Sequence, residues 1–167
     1  MRWRGFETAM TLRFYRAIAL LIISFACGSA LAATPGVSFR SVKGDFDDVR
    51  ERVVLALEGR GLVLNYTAHI SNMLERTGKD LGRERQIYGA AEVFEFCSAA
   101  VSRRMMEADP RNIVFCPYTI AVYTLPDDPA KVYIAYRRPL AAGSGPSLKA
   151  LREVDKLLDD IVRDALK

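Results

Sequence analysis

The stretch YTIAVYTLPDDPAKVYIAYR, Tyr118 to Arg137, decides the fold of this chain. Alternating side chains in its two halves predict one strand from Tyr118 to Leu125 and another from Lys131 to Arg137. The turn residues Pro126-Asp127-Asp128-Pro129 lie between them, and this order is typical of an antiparallel hairpin. The sheet of this protein is therefore expected to be built around that hairpin.

The residues nearer the N-terminus predict a strand, a helix and a second strand. Val37 to Lys43 alternates, and Gly44 ends that strand. Asp45 is a suitable N-cap for an amphipathic helix. Apolar residues recur at helical spacing until Gly59 and Gly61, which end the helix. Strand-forming residues then fill Gly61 to Ile70.

The central part of the chain predicts further strands around one helix. The segment from 70 to 81 reads as a short helix or a loop, and Ile87 to Cys97 reads as a strand. Ser98 caps a helix that ends at Asp109-Pro110, because the residue before a proline avoids helical backbone angles. Asn112 to Cys116 is predicted to be another strand.

The C-terminal part predicts a small-residue linker from Ala141 to Pro146, followed by an amphipathic helix. The apolar stripe of that helix consists of Leu148, Leu151, Val154, Leu158, Ile161, Val162 and Ala165. We therefore expect an α+β domain over residues 33–140, with a linker and final helix over 141–167. Its fold is a two-layer arrangement, with helices packed on one face of a mostly antiparallel sheet.

The first 32 residues have the order of a secretory signal peptide. The first 16 residues contain one acidic side chain, Glu7, and four basic ones, Arg2, Arg4, Arg13 and Arg16. An apolar block from Ala17 to Ala26 follows, and Ala30-Leu31-Ala32 has the A-x-A pattern of a cleavage site. We expect cleavage after Ala32 and a periplasmic mature protein.

Three other interpretations of this leader stay open. A spanning anchor needs about 20 apolar residues, and the strongly apolar block here is about half that length. Acylation of Cys27 would make a lipoprotein, although the bulky Phe25 stands where small residues are favoured. Translation could also begin at Met10.

Removal of the leader changes the charge of the protein. The whole chain carries 24 basic and 20 acidic residues, whereas the chain after Ala32 retains 20 and 19, a net charge of about +1. Nucleic-acid binding requires a concentrated positive surplus, which the mature chain lacks. We expect no nucleic-acid partner, and contact with the membrane only during export.

Two cysteines remain in the mature chain, Cys97 and Cys116. If Phe94, Phe96 and Phe115 face the core of a sheet, both cysteines emerge on the same side. Cys97 also lies just before a helix N-terminus, which favours a thiolate. A structural disulfide, a metal or haem ligand pair, a redox-active thiol and two inert thiols all fit this pattern.

His69 and Met105 could join the cysteines in a soft site for copper, zinc or haem iron. His69 is the single histidine of the chain, and a histidine at such a position is more often structural than a ligand. Met105 falls on the apolar stripe of its helix beside Val101, which favours a packing role. Covalent haem attachment is excluded because no CxxCH motif occurs.

Four segments of the chain carry a family resemblance: Leu57-Glu58-Gly59-Arg60-Gly61-Leu62, Met106-Glu107-Ala108-Asp109-Pro110, Ile113-Val114-Phe115-Cys116-Pro117 and Thr119-Ile120-Ala121-Val122-Tyr123. Together they resemble a bacterial family called domain of unknown function 302. The similarity extends from about Phe39 to Pro139. The resemblance implies a compact α+β domain capable of pairing with itself, and it implies no established activity.

The sequence thus favours an exported binding or accessory protein without catalysis of its own, holding a soft metal or haem at the Cys/Cys/His site. No GxSxG, HExxH or phosphate-cradling GxxxxGK[ST] motif supports a hydrolase or nucleotide-binding enzyme. One alternative is a thiol-disulfide oxidoreductase using Cys97. Another is a structural or interaction module with a Cys97-Cys116 disulfide, forming a homodimer through its sheet or its last helix.

Overall fold

The computed structural model describes residues 36–167, except for the side chains at 141 and 142. The predicted signal peptide and its cleavage site at Ala30 and Ala32 lie outside the described residues. Among the residues that are described, no helix has the length and apolar character needed to cross a bilayer.

The described chain contains five strands, four α-helices and two short 3-10 segments. The strands are β1 (Val37–Lys43), β2 (Val63–His69), β3 (Ala91–Cys97), β4 (Tyr118–Leu125) and β5 (Asp128–Arg137). The α-helices are α1 (Phe46–Glu58), α2 (Ile70–Asp80), α3 (Ala99–Ala108) and α4 (Gly145–Ala165). The 3-10 segments are Pro110–Phe115 and Pro139–Ala142.

All five strands form one antiparallel sheet in the order β1-β5-β4-β3-β2. The predicted hairpin is confirmed as β4 and β5, although β5 begins at Asp128 and only Pro126 and Asp127 form the turn. Alternate residues of the central strands, such as Phe94, Ile120 and Ile134, are fully buried beneath helices. The chain therefore has the expected α+β fold.

Helix α1 begins where the sequence predicts, because Asp45 caps it. The Asp45 carboxylate accepts hydrogen bonds from the backbone N–H groups of Asp47 and Asp48, at 2.8 and 3.3 Å. Val49 and Val53 share one face of the helix and are completely buried. The cap thus fixes the start of a helix whose apolar face covers the sheet.

Helix α4 packs against α1 and α3 as part of the same core. Its apolar stripe is confirmed, with Leu151, Ile161 and Val162 fully buried. The predicted linker from 141 to 146 is too long, since the helix already begins at Gly145 with Pro146 in its first turn. A proline is accepted there because the first helical N–H groups have no partner within the helix.

The predicted strand from Asn112 to Cys116 is wrong, because this region forms the 3-10 segment Pro110–Phe115. The Asp109 side chain accepts a hydrogen bond from Arg111 N–H at 2.9 Å, which turns the chain at once after α3. Asn112 is buried and donates hydrogen bonds to the Met105 carbonyl and the Ser147 hydroxyl, both at 2.9 Å. These contacts hold the segment against two helices instead of in the sheet.

Two other segments also differ from their predictions. The strand predicted from Ile87 begins only at Ala91, and Ile87 is 54% exposed. The region after His69, which the sequence leaves as helix or loop, is the helix α2, and none of its residues is buried.

Candidate functional site

The two cysteines meet at one end of the sheet, where β3 ends and β4 begins. Phe96 on β3 lies opposite Tyr118 on β4, so the residues just outside this pair are brought together. The sulfur atoms of Cys97 and Cys116 are 3.1 Å apart and both thiols are free. Each cysteine is half-buried, and the Cys116-Pro117 peptide bond is cis.

Two hydroxyl groups complete the polar surroundings of the cysteine pair. Ser102, in the first turns of α3, lies with its oxygen 3.0 Å from the Tyr118 hydroxyl and 3.8 Å from the Cys116 sulfur. The Tyr118 ring meets Phe96 edge to face, with centroids 6.0 Å apart. Burial raises the pKa of Tyr118 above its usual value, so this hydroxyl stays protonated at neutral pH.

The Cys97 thiol has a raised pKa of about 11. Burial is the largest cause, and the contact with Cys116 and the nearby Glu95 carboxylate add to it. The expectation that the helix N-terminus favours a Cys97 thiolate is therefore wrong. Cys97 lies one residue before the cap Ser98 and outside the first helical turn, so the end of the helix is a weak source of stabilisation for a thiolate there.

His69 lies at the opposite end of the sheet from the cysteines. In the pairing of β2 with β3, His69 stands directly across from Glu92, and Glu92 lies five residues before Cys97 on β3. Five residues of a strand span about 17 Å, so His69 lies at roughly that distance from Cys97. Its Nδ1 atom is 3.0 Å from a Glu92 carboxylate oxygen. The other Glu92 oxygen faces Arg50 Nε at 3.3 Å. His69 thus belongs to a separate ionic cluster.

Met105 is fully buried and packs in the core of the domain. Of the four predicted soft ligands, Cys97 and Cys116 are in direct contact, and His69 lies far from them. Within residues 36–167, no group of three or more His, Cys, Asp or Glu side chains could hold a metal ion. Two thiolates bound to one tetrahedral zinc ion would lie about 3.8 Å apart, and these sulfurs are closer than that.

Beside the cysteine pair lies a groove of about 470 Å³. Val114, Phe115 and Pro117 line it on the cysteine side, and the end of β5 contributes Arg137 and Arg138. Arg138 is held by two hydrogen bonds to Asp155, at 2.8 and 2.6 Å. These bonds raise the pKa of Arg138 and fix its guanidinium as a permanently charged wall of the groove.

Cys97 and Cys116 were predicted as site residues from the sequence. Ser102, Tyr118 and the two arginines of the groove, Arg137 and Arg138, were not. Tyr118 could have been found by placing the two predicted strands in register, since it stands opposite the residue before Cys97. Ser102 carried no local signal, because its partners come from distant parts of the chain.

The chain is thus a two-layer α+β domain in which two free cysteines meet at one end of an antiparallel sheet. A family model described as domain of unknown function DUF302 matches residues 37–165, and the chain belongs to that family. No curated protein matches it.

A solved structure with the same fold is an uncharacterized conserved protein DUF302 from Bacillus stearothermophilus. The two chains superpose with a TM-score of 0.65 and share 14% identity, over 79% of this chain and 99% of that one. At this identity the similarity establishes the fold alone.

Proposed function

We propose that this chain is an exported binding or accessory protein without catalytic activity, in which Cys97 and Cys116 form a structural disulfide. The observation that carries the proposal is the 3.1 Å contact between the two sulfur atoms. The sulfur atoms of a disulfide lie about 2.05 Å apart, so the two thiols, now 3.1 Å apart, would need to approach by about 1 Å.

The chemistry of Cys97 supports a structural role over a catalytic one. The thiolate is the nucleophile in thiol-disulfide exchange, and a pKa of about 11 leaves roughly one thiol in ten thousand ionised at pH 7. An oxidoreductase needs a reactive thiol that ionises near the ambient pH. The low ionised fraction of Cys97 therefore supports a structural role for this thiol over a catalytic one.

Support for export comes from the leader in the sequence. A basic segment, an apolar block and the Ala30-Leu31-Ala32 pattern precede the domain. Loss of Cys27 with the leader would leave an even pair of cysteines in an oxidising compartment. There a disulfide oxidant would take up two electrons and two protons from the thiols, becoming a dithiol as the Cys97–Cys116 bond forms.

A Cys97–Cys116 disulfide would close a loop that contains α3 and the first 3-10 segment. By the chain-entropy argument, a loop of about 20 residues contributes about 3 kcal/mol to the free energy of unfolding. The bond would also restrict Pro117, the neighbour of Cys116 that lines the groove. The disulfide would therefore stabilise both the domain and one wall of its open groove.

Mass spectrometry of protein purified from the periplasm tests this proposal. After free thiols are blocked, we expect a chain that begins at Ala33, carries no blocking group and is about 2 Da lighter than the dithiol. We also expect no stoichiometric metal. Two blocked thiols would contradict the disulfide, and bound copper, zinc or haem would favour the soft-ligand hypothesis instead.

A matched set of variants distinguishes stabilisation by a disulfide from stabilisation by the packing of the two side chains. The double variant Cys97→Ser with Cys116→Ser should lower the free energy of unfolding by about 3 kcal/mol relative to the oxidised protein. Treating the wild type with reductant should produce a similar loss, and the double variant should not respond to reductant. Equal stability of the oxidised wild type and the double variant would exclude a stabilising disulfide.

A further inference from the structure

The groove beside the cysteine pair combines apolar surface with positive charge. Val154 and Leu158 of α4 line it from the core, and each is almost completely buried. Val114 and Pro117 extend the apolar lining outward, where Val114 is 76% exposed. The volume of about 470 Å³ lies within the range of about 300–1,000 Å³ that is typical of small-molecule sites. The groove thus offers apolar surface that a bound molecule can cover.

The two arginines of the groove differ in how their charges are balanced. Arg138 donates hydrogen bonds from Nε and Nη2 to the Asp155 carboxylate, which balances its charge. Its Nη1 group has no hydrogen-bond partner among the described residues. Arg137 is exposed, and its side chain forms no ion pair or hydrogen bond with another residue of the described chain. None of the described residues that line the groove is acidic, so Arg137 leaves it with one unbalanced positive charge.

These features favour a ligand that has one negative charge and an apolar body. A guanidinium presents parallel N–H donors that match the two oxygens of a carboxylate. One unbalanced arginine neutralises a monoanion, whereas a phosphomonoester dianion would keep an uncompensated charge beside apolar walls, at a cost in desolvation. A neutral apolar molecule would cover Arg137 without giving it a partner, which is also unfavourable.

We infer that the groove binds an organic monocarboxylate whose charged end contacts Arg137 and the free Nη1 group of Arg138. The apolar chain of the ligand would lie along Val114, Phe115 and Pro117, and the area it removes from water would supply the rest of the affinity. This carboxylate site deepens the proposed function, and it rests on that function in treating the protein as a binding module.

Calorimetric titration of the protein purified from the periplasm with octanoate tests the site. We expect saturable binding of one octanoate per chain. Octan-1-ol has a chain of the same length without the charge and should bind at least tenfold more weakly, and octylammonium should not bind. Acetate has the charge without the chain and should not bind measurably, because it covers little apolar surface.

Substitution of Arg137 tests the charged end of the site. Arg137→Gln should weaken octanoate binding about tenfold, because it removes a charge-assisted contact from an exposed position on which folding does not depend. Arg137→Lys keeps the charge without the parallel donors and should bind with intermediate affinity. Arg76→Gln is the matched control on α2, where the side chain is exposed and does not line the groove, and it should leave the affinity unchanged.

Chemical-shift mapping of the same titration by NMR locates the bound octanoate. The amide signals of Val114, Thr119 and Arg137 should move with a common dissociation constant, whereas those of α2 should stay in place. Val114→Ser should weaken octanoate binding about threefold, since it removes apolar surface from the outer part of the groove.

Absence of saturable octanoate binding, equal affinities for octanoate and octan-1-ol, or an Arg137→Gln variant that binds like the wild type would overturn the carboxylate site. Tighter binding of octyl phosphate than of octanoate would overturn it in favour of a phosphomonoester. The oxidation state of Cys97 and Cys116 is measured by mass in the same samples. A protein with an intact disulfide that does not bind octanoate would refute the site and leave the proposed function standing, whereas octanoate binding by a protein with free thiols would do the reverse.

Discussion

At the scale of single residues, the cysteine pair shows how surroundings decide reactivity. Cys97 lies next to a helix, but burial, Cys116 and Glu95 all favour its neutral thiol. The pair is close enough for hydrogen bonding, and its neighbours Ser102 and Tyr118 are themselves neutral hydroxyl groups. Among the described residues, these surroundings therefore favour the neutral thiol of Cys97.

The raised pKa of Cys97 predicts a pH dependence for the reduced protein. The folded thiol ionises near pH 11, whereas the unfolded thiol ionises near 9.0. Between those values the unfolded chain has lost a proton that the folded chain retains, so stability should fall as pH rises from about 9 to 11.

Urea unfolding under reducing conditions across this pH range measures the effect. Cys97→Ser and the oxidised wild type should each show a smaller fall, because neither has a Cys97 thiol to ionise; the fall that remains comes from tyrosines such as Tyr118, whose pKa is also raised by burial. A reduced wild type with the same pH profile as Cys97→Ser would contradict the raised pKa.

At the scale of elements, the 3-10 segment Pro110–Phe115 connects the sheet to two helices. Asn112 is its anchor, since its amide group bonds the Met105 carbonyl on α3 and the Ser147 hydroxyl on α4. Ile113 and Val114 consequently point outward and are 60% and 76% exposed. One buried amide therefore decides where the chain turns before Cys116.

Replacement of this anchor should destabilise the domain. Asn112→Ala removes its hydrogen bonds and leaves a buried carbonyl and hydroxyl without their partner, at a cost of about 2–3 kcal/mol in the free energy of unfolding. Asn72→Ala on α2, at an exposed position, is the matched control and should change stability by less than about 0.5 kcal/mol. Equal effects of the two substitutions, measured by chemical unfolding, would show that Asn112 is not an anchor.

At the scale of the whole molecule, α4 completes the helical layer over the sheet. Leu151 and Ile161 are fully buried, and the helix contacts both α1 and α3. Four ion pairs join its polar side to other described elements of the domain, Arg40–Asp159, Arg60–Asp164, Arg104–Glu153 and Arg138–Asp155. The last 21-residue helix is thus an integral part of the fold and not an appendage.

A cavity substitution in α4 tests this integration. Leu151→Ala should lower the free energy of unfolding by about 2–5 kcal/mol, because the surrounding core cannot fully collapse into the space. Leu55→Ala on α1, where the side chain is 56% exposed, should cost far less. Thermal unfolding in which the Leu151 variant loses no more than the Leu55 variant would contradict the packing described.

The sequence by itself determined the features that depend on near neighbours. The β4–β5 hairpin, the Asp45 cap and the apolar stripe of α4 each arise from residues within a few positions of one another, so they were predictable. The tertiary structure alone decided the conformation of Ile113-Val114-Phe115. An apolar triplet suits a strand and a 3-10 turn equally, and the distant contacts of Asn112 select the turn.

The same difference between local and long-range contacts applies to the residues of the candidate site. Cys97 and Cys116 were singled out by their scarcity, but their 3.1 Å contact depends on the pairing of β3 with β4. Only the register of β2 with β3 shows that His69 stands at the opposite end of the sheet. Residue types and local periodicity are properties of the chain, whereas distances between strands are set when the core packs.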